Sequence, residues 1–180
     1  MNNSTRGKDP RQKASEIIAA AGGTLVGRTR LQKLAYLLEL AGLGEGFYFE
    51  YRHYGPFSED LALATRDATY AGLIQEKEEP TSWGGFYSVY STSPVEQNEV
   101  RRAFAQLAKE SSAVVLELAA TAAFLAEEGA NDPWQETARR KPDKAADGRL
   151  ERAKVLYLEF TKIRAPKELP KILPTINSCG

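Results

Sequence analysis

One histidine, His53, and one cysteine, Cys179, set the outer limit on the chemistry this chain can perform. Zinc sites built on paired imidazoles and the His-Glu-x-x-His protease pattern each need a second histidine, so both are excluded. A Cys–His nucleophilic pair needs its members held within hydrogen-bond reach. Cys179 follows a run of prolines that gives it no fixed place beside His53 and nothing to lower its pKa. His53 therefore reads as a structural or surface residue, because a lone imidazole without a held partner has no general-base geometry. Carboxylates are the remaining chemistry. Glu50, Glu59 and Asp60 flank Tyr54-Gly55-Pro56, and a small enzyme would draw on Glu50, Arg52 and Tyr54 there. The simpler reading takes Glu59 and Asp60 as acids at a helix N-terminus and Arg52 as their ion-pair partner. Gly42-Leu43-Gly44-Glu45-Gly46 has closely spaced glycines but runs into a strand instead of a helix N-terminus, so it reads as a helix stop and turn. No catalytic set, cofactor or metal is expected.

Two stretches must position these groups. Thr29-Arg30-Leu31-Gln32-Lys33-Leu34-Ala35-Tyr36-Leu37-Leu38 predicts a helix started by a capping box, with Thr29 accepting the Gln32 amide and Gln32 reaching back. Leu31, Leu34, Ala35, Leu38 and Ala41 form its apolar stripe. Leu37 and Leu40 widen that stripe until little polar face is left, which predicts burial on most sides. In Tyr51-Arg52-His53-Tyr54-Gly55-Pro56-Phe57-Ser58, Gly55-Pro56 stops an extended run and Ser58 caps the next helix, with Glu59 and Asp60 in its first turn.

The remaining punctuation fills in the order of elements. Asp9-Pro10 opens a first helix that Gly22-Gly23 ends. The helix from Ser58 runs to Ala71, and two extended segments, Leu73 to Glu78 and Phe86 to Ser91, form a hairpin. That order is the layout of a winged helix with the hairpin as its wing. Further helices are expected from Ser93-Pro94-Val95-Glu96, over Val114 to Leu125, after Asp132-Pro133 and up to Pro142, and from Asp147 to Lys162. The expectation is a mainly α fold with a small β-hairpin. A single domain spans 9–163, its winged-helix-like part 9–92 and its helical part 93–163 packed together. Residues 1–8 are expected to be disordered, and 164–180, broken by Pro166, Pro170 and Pro174, to be a flexible tail.

At 180 residues and 42% apolar composition the chain can bury a core. It has no apolar run long enough for a membrane span or a signal peptide, which predicts a cytoplasmic protein. A lone cysteine forbids an internal disulfide. Charge balances overall at 24 against 24, but segment 1–33 holds seven basic and two acidic residues, 34–80 three and nine, 81–128 three and six, and 129–180 eleven and seven. Use of the winged helix on DNA meets an obstacle. Glu59, Asp60 and Asp67 stand against Arg66 on the recognition-position helix, and Glu76, Glu78 and Glu79 against Lys77 on the wing, where phosphates need cations. Nucleic-acid binding would have to use Arg28, Arg30 and Lys33 together with Arg139, Arg140, Lys141 and Lys144. A protein partner is favoured, because Trp83, Phe86 and Tyr87 lie at the wing tip, with Arg52 and His53 as further candidate contacts. Strand alternation leaves two arrangements open: either these aromatics are displayed, or Phe86 and Tyr90 pack inward and only Trp83 is outside.

Leu31, Gln32, Lys33, Leu34 and Tyr36, followed by Tyr54, Gly55, Pro56 and Ser58, resemble the motifs of the superfamily that holds the Panacea (SocA-like antitoxin) domain and the YwgA-like proteins. Looser agreement of helix order covers roughly 10–163. Where Panacea proteins carry Ala-Trp, this chain has Tyr51-Arg52, which is more similar to the YwgA branch. The resemblance implies a non-enzymatic role, antitoxin-like or adaptor, in a bacterial or phage setting.

Overall fold

The computed structural model describes residues 7–173. Most of the segment expected to be disordered at 1–8, the end of the expected tail and Cys179 lie outside those residues. The elements run α1 (Pro10–Ala20), β1 (Thr24–Val26), α2 (Arg28–Leu40), β2 (Glu50–Arg52), β3 (Gly55–Phe57), α3 (Glu59–Tyr70), β4 (Gln75–Pro80), β5 (Phe86–Ser91), α4 (Glu99–Glu110), α5 (Ala113–Glu127), α6 (Pro133–Arg140), α7 (Pro142–Ala145) and α8 (Arg149–Lys162). The chain is thus mainly helical with little strand, as its patterning predicts. β1, β5 and β4 form an antiparallel sheet in that order, with Leu25 and Glu76 both opposite Tyr90. β2 and β3 form a separate two-stranded hairpin.

Local chemistry explains most boundaries. Asp9, Ser58 and Asp132 cap α1, α3 and α6 through side-chain oxygens, with Pro10 and Pro133 at the first helical positions. The helix expected from Ser93 begins later, at Glu99. Asn98 takes the cap, accepting from Val100 and Arg101, while the Glu96 carboxylate turns to the Asn98 amide at 2.8 Å and to Arg101 at 2.7 Å. Glu96 is therefore engaged outside the helix it was expected to start.

One core crosses both halves of the chain. α2 packs on α5; α2 contributes Leu34, Leu37 and Leu38 to the core and α5 contributes Ala119, Ala120 and Ala123, small side chains that suit close helix packing. Each such leucine contributes roughly 1.5–3 kcal/mol of transfer free energy. Phe104, Tyr157 and Phe160 close the core from α4 and α8.

The tail expected after residue 163 is irregular over 164–173, as its prolines require, but it does not dangle there. Leu169 is buried, Tyr157 donates to the Pro170 carbonyl at 2.5 Å, and the Lys167 amide donates to Ala41 at 3.0 Å. The apolar positions between the prolines supply the burial that a disordered segment would lack.

Candidate functional site

The two motif stretches meet at the β2–β3 turn, and the contacts explain their spacing. Gln32 does not close a capping box. Its amide nitrogen donates to the Ser58 carbonyl at 3.0 Å and its oxygen accepts the Ser58 amide at 2.8 Å. Gly27, at φ 97°, stands at the start of α2 with no side-chain cap. A buried side-chain amide that pairs both of its functions with backbone satisfies two interior polar groups, and that outweighs a local cap. One turn-step away, Lys33 Nζ donates to the Pro56 carbonyl at 2.6 Å. Leu31, Leu34 and Tyr36 are core residues of the same helix.

Gly55 does not end the extended run. It begins β3, paired with Arg52 across the two-residue turn His53-Tyr54. Neither turn residue has positive φ, whereas Gly55 sits at φ 81°. The left-handed residue after the turn restores the twist that two negative-φ residues would spoil.

A buried charge cluster holds this turn from the other side. The Glu117 carboxylate, on α5, receives Lys141 Nζ at 2.8 Å and Lys144 Nζ at 2.7 and 2.8 Å. Lys141 also donates to the His53 carbonyl at 2.7 Å, and Lys144 lies 4.3 Å over the Tyr54 ring. Glu117 and Lys141 have side chains only 3% and 4% exposed, and Lys33 is 1% exposed. Glu117 thus binds Lys141, at the junction of α6 and α7, and Lys144 of α7, and acts electrostatically on Lys33 of α2. Burial pushes the Lys33 ammonium down to about 7. Glu117 partly offsets this and Lys141 and Lys144 add to it.

Between pH about 7 and the unfolded value of 10.5, the unfolded chain binds a proton at this residue that the folded chain does not, so folding stability rises with pH across that window. Denaturant titrations at rising pH are expected to show the wild type gaining on Lys33→Met by about 1.4 kcal/mol per pH unit in this window. Parallel stability curves would show that Lys33 stays charged inside.

The other candidate residues separate into distinct places. Arg52 bridges Glu50 at 2.7 Å and Glu59 at 3.1 Å on the exposed edge of the hairpin. His53 is exposed and stacks edge-on against Tyr54 at 4.7 Å. Glu50, Arg52 and Tyr54 do not converge on one concavity. Tyr54 and Glu59 help to line a cavity of about 630 Å³ between α2, α3 and the sheet, which Lys33 and Gln32 also reach, while Glu50 and Arg52 stay outside it. The glycine loop at 42–46 is already occupied by its own anion, since Glu39 Oε1 accepts the amides of Glu45, Gly46 and Phe47 at 2.9, 2.7 and 2.9 Å. Among the described residues no group of His, Cys, Asp or Glu is arranged to hold a metal ion.

The two basic clusters meet only in part. Lys33 comes close to Lys141 and Lys144, but inside the fold. Arg28 is drawn to Glu76 and Glu78, Arg139 and Arg140 to Glu136, and Arg30 to the carbonyls of Val26, Ala108 and Ser111.

At the β4–β5 tip Trp83 is 84% and Phe86 70% exposed, Tyr87 is exposed beside them, and Tyr90 is buried. Of the two arrangements strand alternation allows, the displayed one holds for Phe86. It shares a face with Tyr90 but lies beyond the body that Tyr90 packs against.

Glu117, Thr121, Lys141 and Lys144 were not singled out as one site by the sequence. The available signal was Glu117 itself, a lone carboxylate inside the apolar run from Ala113 to Leu125. Comparison with known proteins returns no matching family model, no matching curated protein and no matching solved structure.

Proposed function

We propose that this chain is a non-enzymatic protein-interaction module with a winged-helix-like core, antitoxin-like or adaptor in role, and that the β4–β5 hairpin is the part offered to its partner. The observation that carries the reading is the aromatic tip. Trp83 and Phe86 are large, rigid and mostly solvated, on a hairpin whose outer strand β4 packs chiefly against β5. Aromatic anchors of this kind dominate interface energetics when a partner desolvates them. The succession α1, β1, α2, α3, β4, β5 and the sheet order β1-β5-β4 support the winged-helix reading, with β2–β3 inserted between the second and third helices. The ionisable groups around the Tyr54-Gly55-Pro56 turn are engaged in holding backbone and one another, which supports a structural task for the motif. Its resemblance to the Panacea and YwgA-like superfamily supports the antitoxin-like role. Nucleic-acid binding is the weaker alternative, because the arginines of both basic clusters are already paired or bonded to carbonyls.

Affinity capture from the native lysate, with nuclease and moderate salt, tests the reading. A stoichiometric protein should remain bound to the wild type and be lost from Trp83→Ala/Phe86→Ala, with a drop in affinity of about 2 kcal/mol or more per hot-spot residue. The thermal midpoint of that variant should be nearly unchanged, since both side chains are solvated. Recovery of nucleic acid that disappears as salt rises would replace this reading with a regulator.

A further inference from the structure

The segment following α8 is pinned on one side only. Ile163, Leu169 and Ile172 turn toward the core, and the bonds to Ala41 and from Tyr157 fix the strap at two points. Between the strap and α8 lies an open cavity of about 770 Å³. Two of its lining residues, Leu158 and Leu173, are 55% and 80% exposed, and Val155 extends the apolar stripe one helical step along α8. Around the same cavity stand Lys162, Arg164, Lys167 and Lys171. Lys162 is held by Glu159 at 2.5 Å. The side chains of Arg164, Lys167 and Lys171 make no ion pair or hydrogen bond with any described residue, and Glu168 is the one other carboxylate on the strap.

Exposed leucines beside unpaired cations are a combination the fold itself does not use. The concavity is large enough to enclose an apolar side chain, which a flat bilayer surface would leave empty. The excess positive charge selects for carboxylates at its rim. We propose that the groove between α8 and the 164–173 strap is a docking site for an acidic, amphipathic protein segment. A leucine-sized or aromatic anchor enters the cavity, and flanking Asp or Glu side chains meet Arg164, Lys167 and Lys171. This surface is separate from the β4–β5 hairpin, so it stands or falls independently of the role given to Trp83.

A random peptide library displayed on phage and panned against the full chain provides the probe, with enriched sequences remade as labelled peptides for fluorescence polarisation. Enrichment of acidic sequences around an apolar anchor is expected. Their affinity should fall about tenfold in Lys167→Glu/Lys171→Glu, and also in Leu158→Ser. It should weaken as salt rises and stay unchanged in Trp83→Ala. Among the described residues no hydrogen bond or ion pair depends on these side chains, and each residue is exposed, so the variants should keep nearly the wild-type melting profile. Four results would overturn the proposal: no enriched peptide, peptides without an acidic bias, equal binding by the charge-reversed variant, or enrichment that depends on Trp83. Two controls identify other occupants and would also overturn it. One is binding to phosphatidylglycerol-containing vesicles in place of peptide, and the other is self-association in sedimentation that the charge reversal abolishes.

Discussion

Chemical denaturation of Glu117→Gln at neutral pH is expected to show a loss of about 3–5 kcal/mol in unfolding free energy, and thermal melting a fall on the order of 10 °C. The substitution changes almost no volume, so packing is not the cause. Glu117 is the carboxylate that Lys141 and Lys144 share. An amide in its place leaves the Lys141 charge sealed in the interior, facing the His53 carbonyl and the Tyr51 ring, and leaves the half-buried Lys144 with the Tyr54 ring. A double-mutant cycle separates this from a general loss of the helix. Lys141→Met alone is also destabilising, because it orphans the His53 carbonyl and half of Glu117. Combined with Glu117→Gln it should cost less than the sum of the two by roughly 1–3 kcal/mol, since the second change removes a charge that the first left uncompensated. Strict additivity would mean the two groups do not interact energetically, whatever their 2.8 Å separation.

Gly55→Ala is expected to destabilise by about 2–5 kcal/mol, from two causes that can be separated. At φ 81° an L side chain is strained, costing roughly 1–2 kcal/mol. In addition, the new methyl would collide with Thr121 Oγ1, while the Thr121 Cβ, at 3.6 Å, is in ordinary contact; overpacking of this kind costs typically 1–3 kcal/mol. Thr121→Ala removes the colliding oxygen, which is itself buried with no hydrogen-bond partner among the described residues. The double variant should therefore recover the overpacking part and keep the strain. Equal stabilities for Gly55→Ala and the double variant would show that α5 moves aside and that the close approach imposes no constraint.

Much of the architecture could be read from the chain because its signals are local. Asp9-Pro10, Ser58-Glu59-Asp60 and Asp132-Pro133 each act within one turn, and the helices they open lie where expected. β1 escaped notice because Thr24–Val26 is too short to show alternation and has a strand identity only through its pairing with β5. Gln32 and Glu96 misled for a shared reason. Each has the residue type and spacing of a capping box, and each finds a better-buried or charged partner outside it. The site was legible in part. Leu31 to Tyr36 and Tyr54 to Ser58 stand out as motifs, but nothing local shows that Lys33 is interior. Its counter-charge comes from an apolar helix far along the chain, and Lys141 and Lys144 look from sequence like any solvated basic run.

The same dependence on distant residues has a consequence for synthesis. A ribosome that has released the chain only as far as α4 has delivered α2, the β2–β3 turn and the ammonium of Lys33, but none of Glu117, Lys141 or Lys144. Until α5 emerges α2 lacks one of the helices that cover it, and until Lys141 and Lys144 follow the turn has only Gln32 and Lys33 of α2 to hold it. Contacts of such long sequence separation are slow to form. The N-terminal half is thereby left as an unfinished surface, open to chaperones or proteases, through much of translation.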